Sequence, residues 1–204
     1  VIDAAAGVLC VDPGLAHVGW AFVRRFGPGG SGKLDLIDSG HIPTEPDEEL
    51  DRRLRKIWRV LACAVRDYRP AIVGVENQRN ANIAARMNAR QIAEAQRNGT
   101  AIPKAMGFGA NNDAVFEVVG LVKALTWAKP ERSLLLYLPQ QAKIAVLGKG
   151  NGSADKKQVR QAVRHYFPGY EQLQQRELDL NEADAIAGAI YVERVTLLQS
   201  RRAG

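Results

Sequence analysis

Three carboxylates carry the chemistry this sequence offers. Asp12 follows the apolar run Gly7-Val8-Leu9-Cys10-Val11, and Glu76 follows Ala71-Ile72-Val73-Gly74-Val75. Asp184 closes Asn181-Glu182-Ala183-Asp184, just ahead of the small apolar stretch Ala185-Ile186-Ala187-Gly188-Ala189-Ile190. A short run that is apolar at every position reads as a strand covered on both faces. Such strands lie together in mid-sheet, and the loops at their ends gather along one edge. Asp12 and Glu76 are therefore expected to converge, and Asp184, in the first turn of a closely packed helix, is expected to point at the same edge. Gathered carboxylates repel one another unless a divalent cation sits among them. Mg2+ takes hard oxygen ligands and keeps waters and substrate phosphates in its shell. Two such ions about 3.5–4 Å apart can activate water and stabilise the leaving oxygen of a phosphodiester. Each acid also has an ordinary reading: an Asp-Pro-Gly turn, a solvated strand end, an Asp that favours a helix dipole. Their occurrence in order, on two strand ends and one helix start, is what points to chemistry.

The elements that must position them follow from periodicity. Val18 to Val23 and Leu34 to Ile42 continue Gly7 to Val11 as an antiparallel three-stranded meander, interrupted by the Gly-rich stretch Gly27 to Gly32. Asp47 to Tyr68 reads as a helix, with Leu50, Leu54, Ile57, Leu61, Val65 and Tyr68 forming one stripe; Thr44 and Asp47 are candidate caps, and Pro70 stops it. Asp113 to Trp127 is a helix with more apolar residues than one stripe needs, Leu134 to Leu138 another buried strand, and Pro139 to Leu147 a helix begun by proline. Ala154 to Tyr166 and Asn181 to Leu198 complete the helices. The expected class is α/β, a mixed five-stranded sheet with helices on both faces, in one domain over residues 1–204. Within it, residues 77–112 read as a basic insertion, in which Arg79, Arg86, Arg90, Arg97 and Lys104 face the single acid Glu94.

Composition limits the alternatives. The net charge is +6 and the pI about 9.5, which favours a polyanionic partner. No apolar run approaches the roughly 20 residues that span a bilayer. No basic stretch followed by an apolar one opens the chain, so no signal peptide is expected; Val1 has no Met before it. Cys10 and Cys63 read as small buried hydrophobes of a reducing compartment, and His17, His41 and His165 are scattered without the spacing of a zinc site.

A family resemblance then accumulates along the chain. Val11-Asp12-Pro13-Gly14-Leu15-Ala16-His17-Val18-Gly19-Trp20 resembles the opening of the RuvC family of Holliday-junction resolvases, whose fold is ribonuclease H-like. Val75-Glu76 resembles its second acid, Pro139-Gln140-Gln141-Ala142-Lys143 a segment bearing a functional lysine, and Gly148-Lys149-Gly150 with Ala154-Asp155-Lys156-Lys157-Gln158-Val159 the loop and helix bearing another. Asn181 to Ala185 resembles the terminal acidic motif. The resemblance implies a homodimer that resolves four-way DNA junctions with paired symmetric nicks in the cytoplasm of a bacterial or phage-infected cell. It implies Asp12, Glu76, Asn181 and Asp184 as ligands of Mg2+ or Mn2+, two ions per site, and Lys143 and Lys156 as contacts to the scissile phosphate. Arg79, Arg86, Arg90, Arg97, Lys104, Lys149 and Lys157 are the expected DNA contacts.

Three departures stand beside the resemblance. The family commonly has two Asp residues three apart in the last helix, where this chain has Asn181; Glu182 is a poor substitute, because it points about 100° away. The aromatic residue that usually follows the second acid is missing from Asn77-Gln78-Arg79-Asn80, which leaves Phe108 as the candidate stacking residue. Residues 77–112 are also longer than that segment usually is, which suggests a divergent branch, such as a phage enzyme. Two other readings compete: a ribonuclease H-like nuclease acting on another branched DNA substrate, and a non-catalytic junction-binding protein in which Asn181 marks lost chemistry. An actin-like ATPase is set aside, because one domain has no room for a second lobe.

Overall fold

In the computed structural model of the chain, the described residues are 7–26, 32–77, 97–98, 110–149, 151 and 154–203. Five strands form one sheet: β1 (Val8–Pro13), β2 (His17–Arg25), β3 (Leu34–Pro43), β4 (Ile72–Glu76) and β5 (Ser133–Tyr137). Their order is β3-β2-β1-β4-β5. β1 pairs antiparallel with β2, and β2 with β3, whereas β1–β4 and β4–β5 are parallel. The mixed five-stranded sheet expected from the sequence is present.

β1 lies at its centre, and every one of its residues is buried. The pleat sends successive side chains to opposite faces. Val8 and Cys10 join one core cluster, and Leu9 and Val11 join the other. The first cluster is closed by α3 (Pro139–Leu147), α4 (Lys156–Tyr166) and above all α6 (Leu180–Ala203), which buries Ala183, Ala185, Ile186, Ala187, Ala189, Ile190 and Val192. The second is closed by α1 (Leu50–Tyr68), through Ile57, Leu61, Ala64 and Val65, and by α2 (Ala110–Trp127), through Val118, Val122 and Leu125. A short helix, α5 (Glu171–Gln175), precedes α6.

The small residues of α6 let its backbone approach the sheet. A Cβ on Gly188 would meet the Tyr137 hydroxyl at 2.0 Å, and one on Gly19 would meet the Asn181 carbonyl oxygen at 2.0 Å. Glycine is the residue that permits such contact. An ion pair fixes the middle of the helix on β2: Arg25 Nε and Nη2 donate to Glu193 Oε1 and Oε2 at 2.6 and 2.9 Å. Two parallel charge-assisted bonds fix orientation as well as distance.

Several expectations need correction. Cys63 is exposed. It sits about 200° around the helix from the buried Leu61, on the side away from the core. β5 is an edge strand whose leucines are only partly covered, Leu136 being 40% exposed. Glu49, without a side-chain bond, precedes α1 in place of Thr44 or Asp47. Thr44 is instead buried; its hydroxyl donates to the Leu15 carbonyl at 2.7 Å and accepts from Arg53 Nε at 2.9 Å. α5 was not foreseen. The basic residues Arg79, Arg86, Arg90 and Lys104, and Phe108, lie outside the described residues; Arg97 is described and exposed. No helix among the described residues is long and apolar enough to cross a membrane.

Candidate active site

The register of the parallel pair sets the site. Val11 stands opposite Val75, so Asp12 and Glu76 leave the sheet side by side at its carboxyl edge. Asp12 is buried, 6% exposed. On the antiparallel side Asp12 stands opposite Gly19, and over Gly19 lies the start of α6. That contact brings Asn181 and Asp184, one helical turn apart, to the same edge. β5 runs directly into α3, which brings Lys143, and α4 begins at Lys156 behind the capping residue Asp155, whose carboxylate accepts from Gln158 N at 2.8 Å. Asp12, Glu76, Lys143, Lys156, Asn181 and Asp184 line one cavity of about 300 Å³.

Its electrostatics are those of crowded negative charge. Burial, then Glu76, Asp184 and Asp179, push the Asp12 carboxyl well above the usual carboxylate range, with Lys156 opposing. Burial and Asp184 push Glu76 up to about 7, opposed by Lys156 and Lys143. The Lys156 ammonium is the internal counter-charge. It lies 2.9 Å from Asp184 Oδ2 and donates to Asn181 Oδ1 at 2.8 Å. Burial works against its charge, yet the Asp184 hydrogen bond and the acids around it raise its pKa above the ordinary lysine value. Lys143 Nζ donates to the Ala154 carbonyl at 2.5 Å, which ties α3 to the start of the α4 segment. The carboxylates share the cavity without closing on a point: among the described residues no three His, Cys, Asp or Glu side chains are clustered tightly enough to hold an ion as they stand.

Lys149 and Lys157, expected DNA contacts, are both exposed; Lys157 follows Lys156 on α4 but does not line this cavity. Other residues at this edge were not foreseen. His17 and His41 come together across the β2–β3 pair, with Nδ1 of one 3.0 Å from Nε2 of the other and the rings stacked. Asp179 Oδ2 lies 4.0 Å from His41 Nε2, and Asp179 Oδ1 accepts from the backbone N–H groups of Asn181 and Glu182 at 2.8 and 3.3 Å. Burial opposes the charge of Asp179, but those two donors, with His41 and His17 nearby, hold its carboxyl below the ordinary value. Asp179 thus satisfies the open N–H groups of the helix that carries Asn181 and Asp184. The signal was present: an Asp three residues before a Glu at a helix start is a capping pattern. Glu182 does point away from the cavity, and it has its own task. Fully buried, it accepts from Ser39 Oγ at 2.6 Å and from both terminal nitrogens of Arg176, one of them at 2.8 Å.

Comparison with known proteins converges on one family. The family model described as crossover junction endodeoxyribonuclease RuvC matches residues 8–111. The chain is 28% identical over 196 residues to the crossover junction endodeoxyribonuclease RuvC of Hyphomonas neptunium, covering 96% of this chain and 95% of that one. It is 30% identical over 182 residues to the RuvC of Zymomonas mobilis, covering 89% and 87%. Two solved structures of Thermus thermophilus RuvC, the second in complex with Holliday junction substrate, align with TM-scores of 0.64 and 0.63 at 23% and 20% identity. Each covers 94% of this chain and 96% of the other, and these two show the shared fold.

The raised carboxyls have a consequence for metal-free protein. Glu76 binds its proton more tightly when folded, at about 7, than at its ordinary value of 4.5. Between those values the folded chain holds more protons than the unfolded one, so stability falls as pH rises through the window. In chelator, the thermal midpoint of the wild type should drop between about pH 5 and about pH 8 relative to that of Glu76→Gln. Divalent cation should restore it at the upper end. Parallel curves for the two proteins would contradict this electrostatic account.

Proposed function

Because the chain belongs to the RuvC family of crossover junction endodeoxyribonucleases, we propose that it resolves four-way DNA junctions by metal-dependent hydrolysis of phosphodiester bonds. The observation that carries this reading is the single cavity lined by Asp12, Glu76, Asn181 and Asp184 together with Lys143 and Lys156.

The donor set suits the metal chemistry. Three carboxylates and one amide carbonyl are all hard oxygen ligands, the kind Mg2+ and Mn2+ take. Burial, and then the neighbouring acids, raise the pKa of Asp12 and Glu76, so a divalent cation would relieve a cost the protein itself offsets only in part. Asp12, Glu76 and Asp184, with the Asn181 amide oxygen, would hold Mg2+ or Mn2+, two ions per site. When bound, such ions supply a nucleophilic water at neutral pH and charge for the leaving oxygen. The chain's own residues do the rest. Lys156 and Lys143 present fixed ammonium groups where a scissile phosphate enters, and preorganised charge of this kind stabilises charge that grows in the transition state. Asp179 holds the first turn of α6, and with it Asn181 and Asp184, in place. The burial of Asp12 excludes competing water from one ligand. Asn181 contributes a ligand oxygen without charge, which lowers the repulsion the site must bear.

A homodimer is part of the same proposal. α2 leaves Phe116 42% and Trp127 70% exposed while Val118, Val122 and Leu125 are buried, so it carries more apolar surface than this chain covers. An exposed apolar patch of this sort marks an interface, and a two-fold dimer matches the symmetry of a junction cut by paired nicks.

Incubation with a mobile four-way junction and with a matching linear duplex, in Mg2+ and in chelator, tests the activity. The wild type should cut the junction only, and only in Mg2+. Asp12→Asn should lower cleavage by at least about a hundredfold while binding the junction normally, because affinity resides mainly in basic contacts to phosphate. Cleavage by Asp12→Asn at the wild-type rate would refute the site, and tight metal-independent binding by a wild type that never cuts would favour the junction-binding alternative. Sedimentation should give a dimer at micromolar concentration; monomer alone, with and without DNA, would refute the assembly.

A further inference from the structure

α4 carries positive charge away from the acid cavity. Lys156, its first residue, lines that cavity. Lys157, Arg160, Arg164 and His165 line instead a second cavity, of about 700 Å³, that the helix forms with Pro168 and Gln174 beyond its end. At about 100° per residue, positions 156, 160 and 164 lie only about 40° apart in sequence, so they form a row. Val159 and Val163, on the flank beside this row, are buried in the core. The row starts among the acids and enters the groove, and from Lys157 to His165 the helix rises about 12 Å.

The groove is built, and its lining is cationic. Arg160 Nη1 donates to Glu177 Oε1 at 3.1 Å and to the Leu178 carbonyl at 3.3 Å, and Arg164 Nη2 donates to the Arg176 carbonyl at 2.8 Å. These bonds fix both guanidinium groups against the segment that leads to α6. None of the described lining residues is acidic, although Glu177 pairs with Arg160. Two arginines, a lysine and a histidine around one open cavity are complementary to a polyanion, and continuity with the acid cavity through Lys156 says which one.

We propose that this groove holds the DNA backbone of the strand being cut, as it runs on from the scissile phosphate. The inference rests on the functional reading above and names a path for its substrate. The groove is long enough for a few successive phosphates of one strand. The contacts are to phosphate, so they position the strand without reading its bases.

The test is junction affinity as a function of salt, in chelator so that nothing is cut, for the wild type and three variants. Lys157→Glu changes an exposed side chain. Lys157→Ala with Arg164→Gln removes two groove charges and keeps an amide donor near the Arg176 carbonyl. Arg55→Glu makes the same charge change on α1, across the sheet, at a side chain 72% exposed. Lys157→Glu should weaken binding about tenfold and Arg55→Glu less than about twofold. The double variant should flatten the slope of log affinity against log salt by about 0.9 for each phosphate it no longer neutralises. If circular dichroism shows the double variant unfolded, Lys157→Glu decides alone. Wild-type affinity and slope in Lys157→Glu, or equal weakening by Arg55→Glu, would overturn the groove and leave it to an acidic protein segment. Failure of the wild type itself to bind the junction would overturn the functional reading, and the groove's occupant with it; junction binding by the wild type beside unchanged variants would overturn the groove alone.

Discussion

Repulsion between carboxylates at the end of two buried parallel strands is the constraint around which this structure is arranged. Neighbouring strands lie about 4.8 Å apart, and like charges held near one another away from bulk water repel. The β1–β4 register imposes that proximity on Asp12 and Glu76, and the close seat of α6 on Gly19 adds Asp184. A fold assembled for stability alone has no reason to bring three acids together beneath an apolar roof. The protein offsets part of the cost internally, through Lys156 on Asp184 and Asn181.

Asn181 acquires meaning in that setting. Its amide oxygen accepts from Lys156 while its backbone N–H is held by Asp179, so the residue joins the helix start to the counter-charge. A carboxylate there would add a further negative charge to a cavity in which Glu76 already titrates at about 7. The neutral side chain is compatible with ligation and reduces the repulsion, which weakens the case for reading it as a mark of lost chemistry.

Much of this was legible in the sequence, for identifiable reasons. β1 and β4 announce themselves as runs apolar on both faces, and an acid at the end of such a run has one place to go. The small residues of α6 foretold a close seat on the sheet. Lys143 and Lys156 were found through family resemblance, because nothing in the spacing of a surface lysine distinguishes it. What escaped were pairings made across long stretches of chain. His17 meets His41 from 24 residues away, and Ser39 meets Glu182 from 143 away, and no local pattern encodes either. Arg176 is an unremarkable arginine until Glu182 is buried beneath it. The exposure of Cys63 was available from helical angles: placed on the apolar side of its helix, it in fact stands about 200° from Leu61 and off the stripe.

The buried, crowded acids hold protons that a divalent cation would displace. Calorimetric titration of Mg2+ or Mn2+ near neutral pH, in two buffers of different ionisation enthalpy, measures both the binding and the protons released. The account predicts that the wild type binds the cation and releases protons, and that the Asp12→Asn, Glu76→Gln double variant loses the proton release and most of the affinity. Cation binding without proton release, or a double variant that titrates like the wild type, would contradict it.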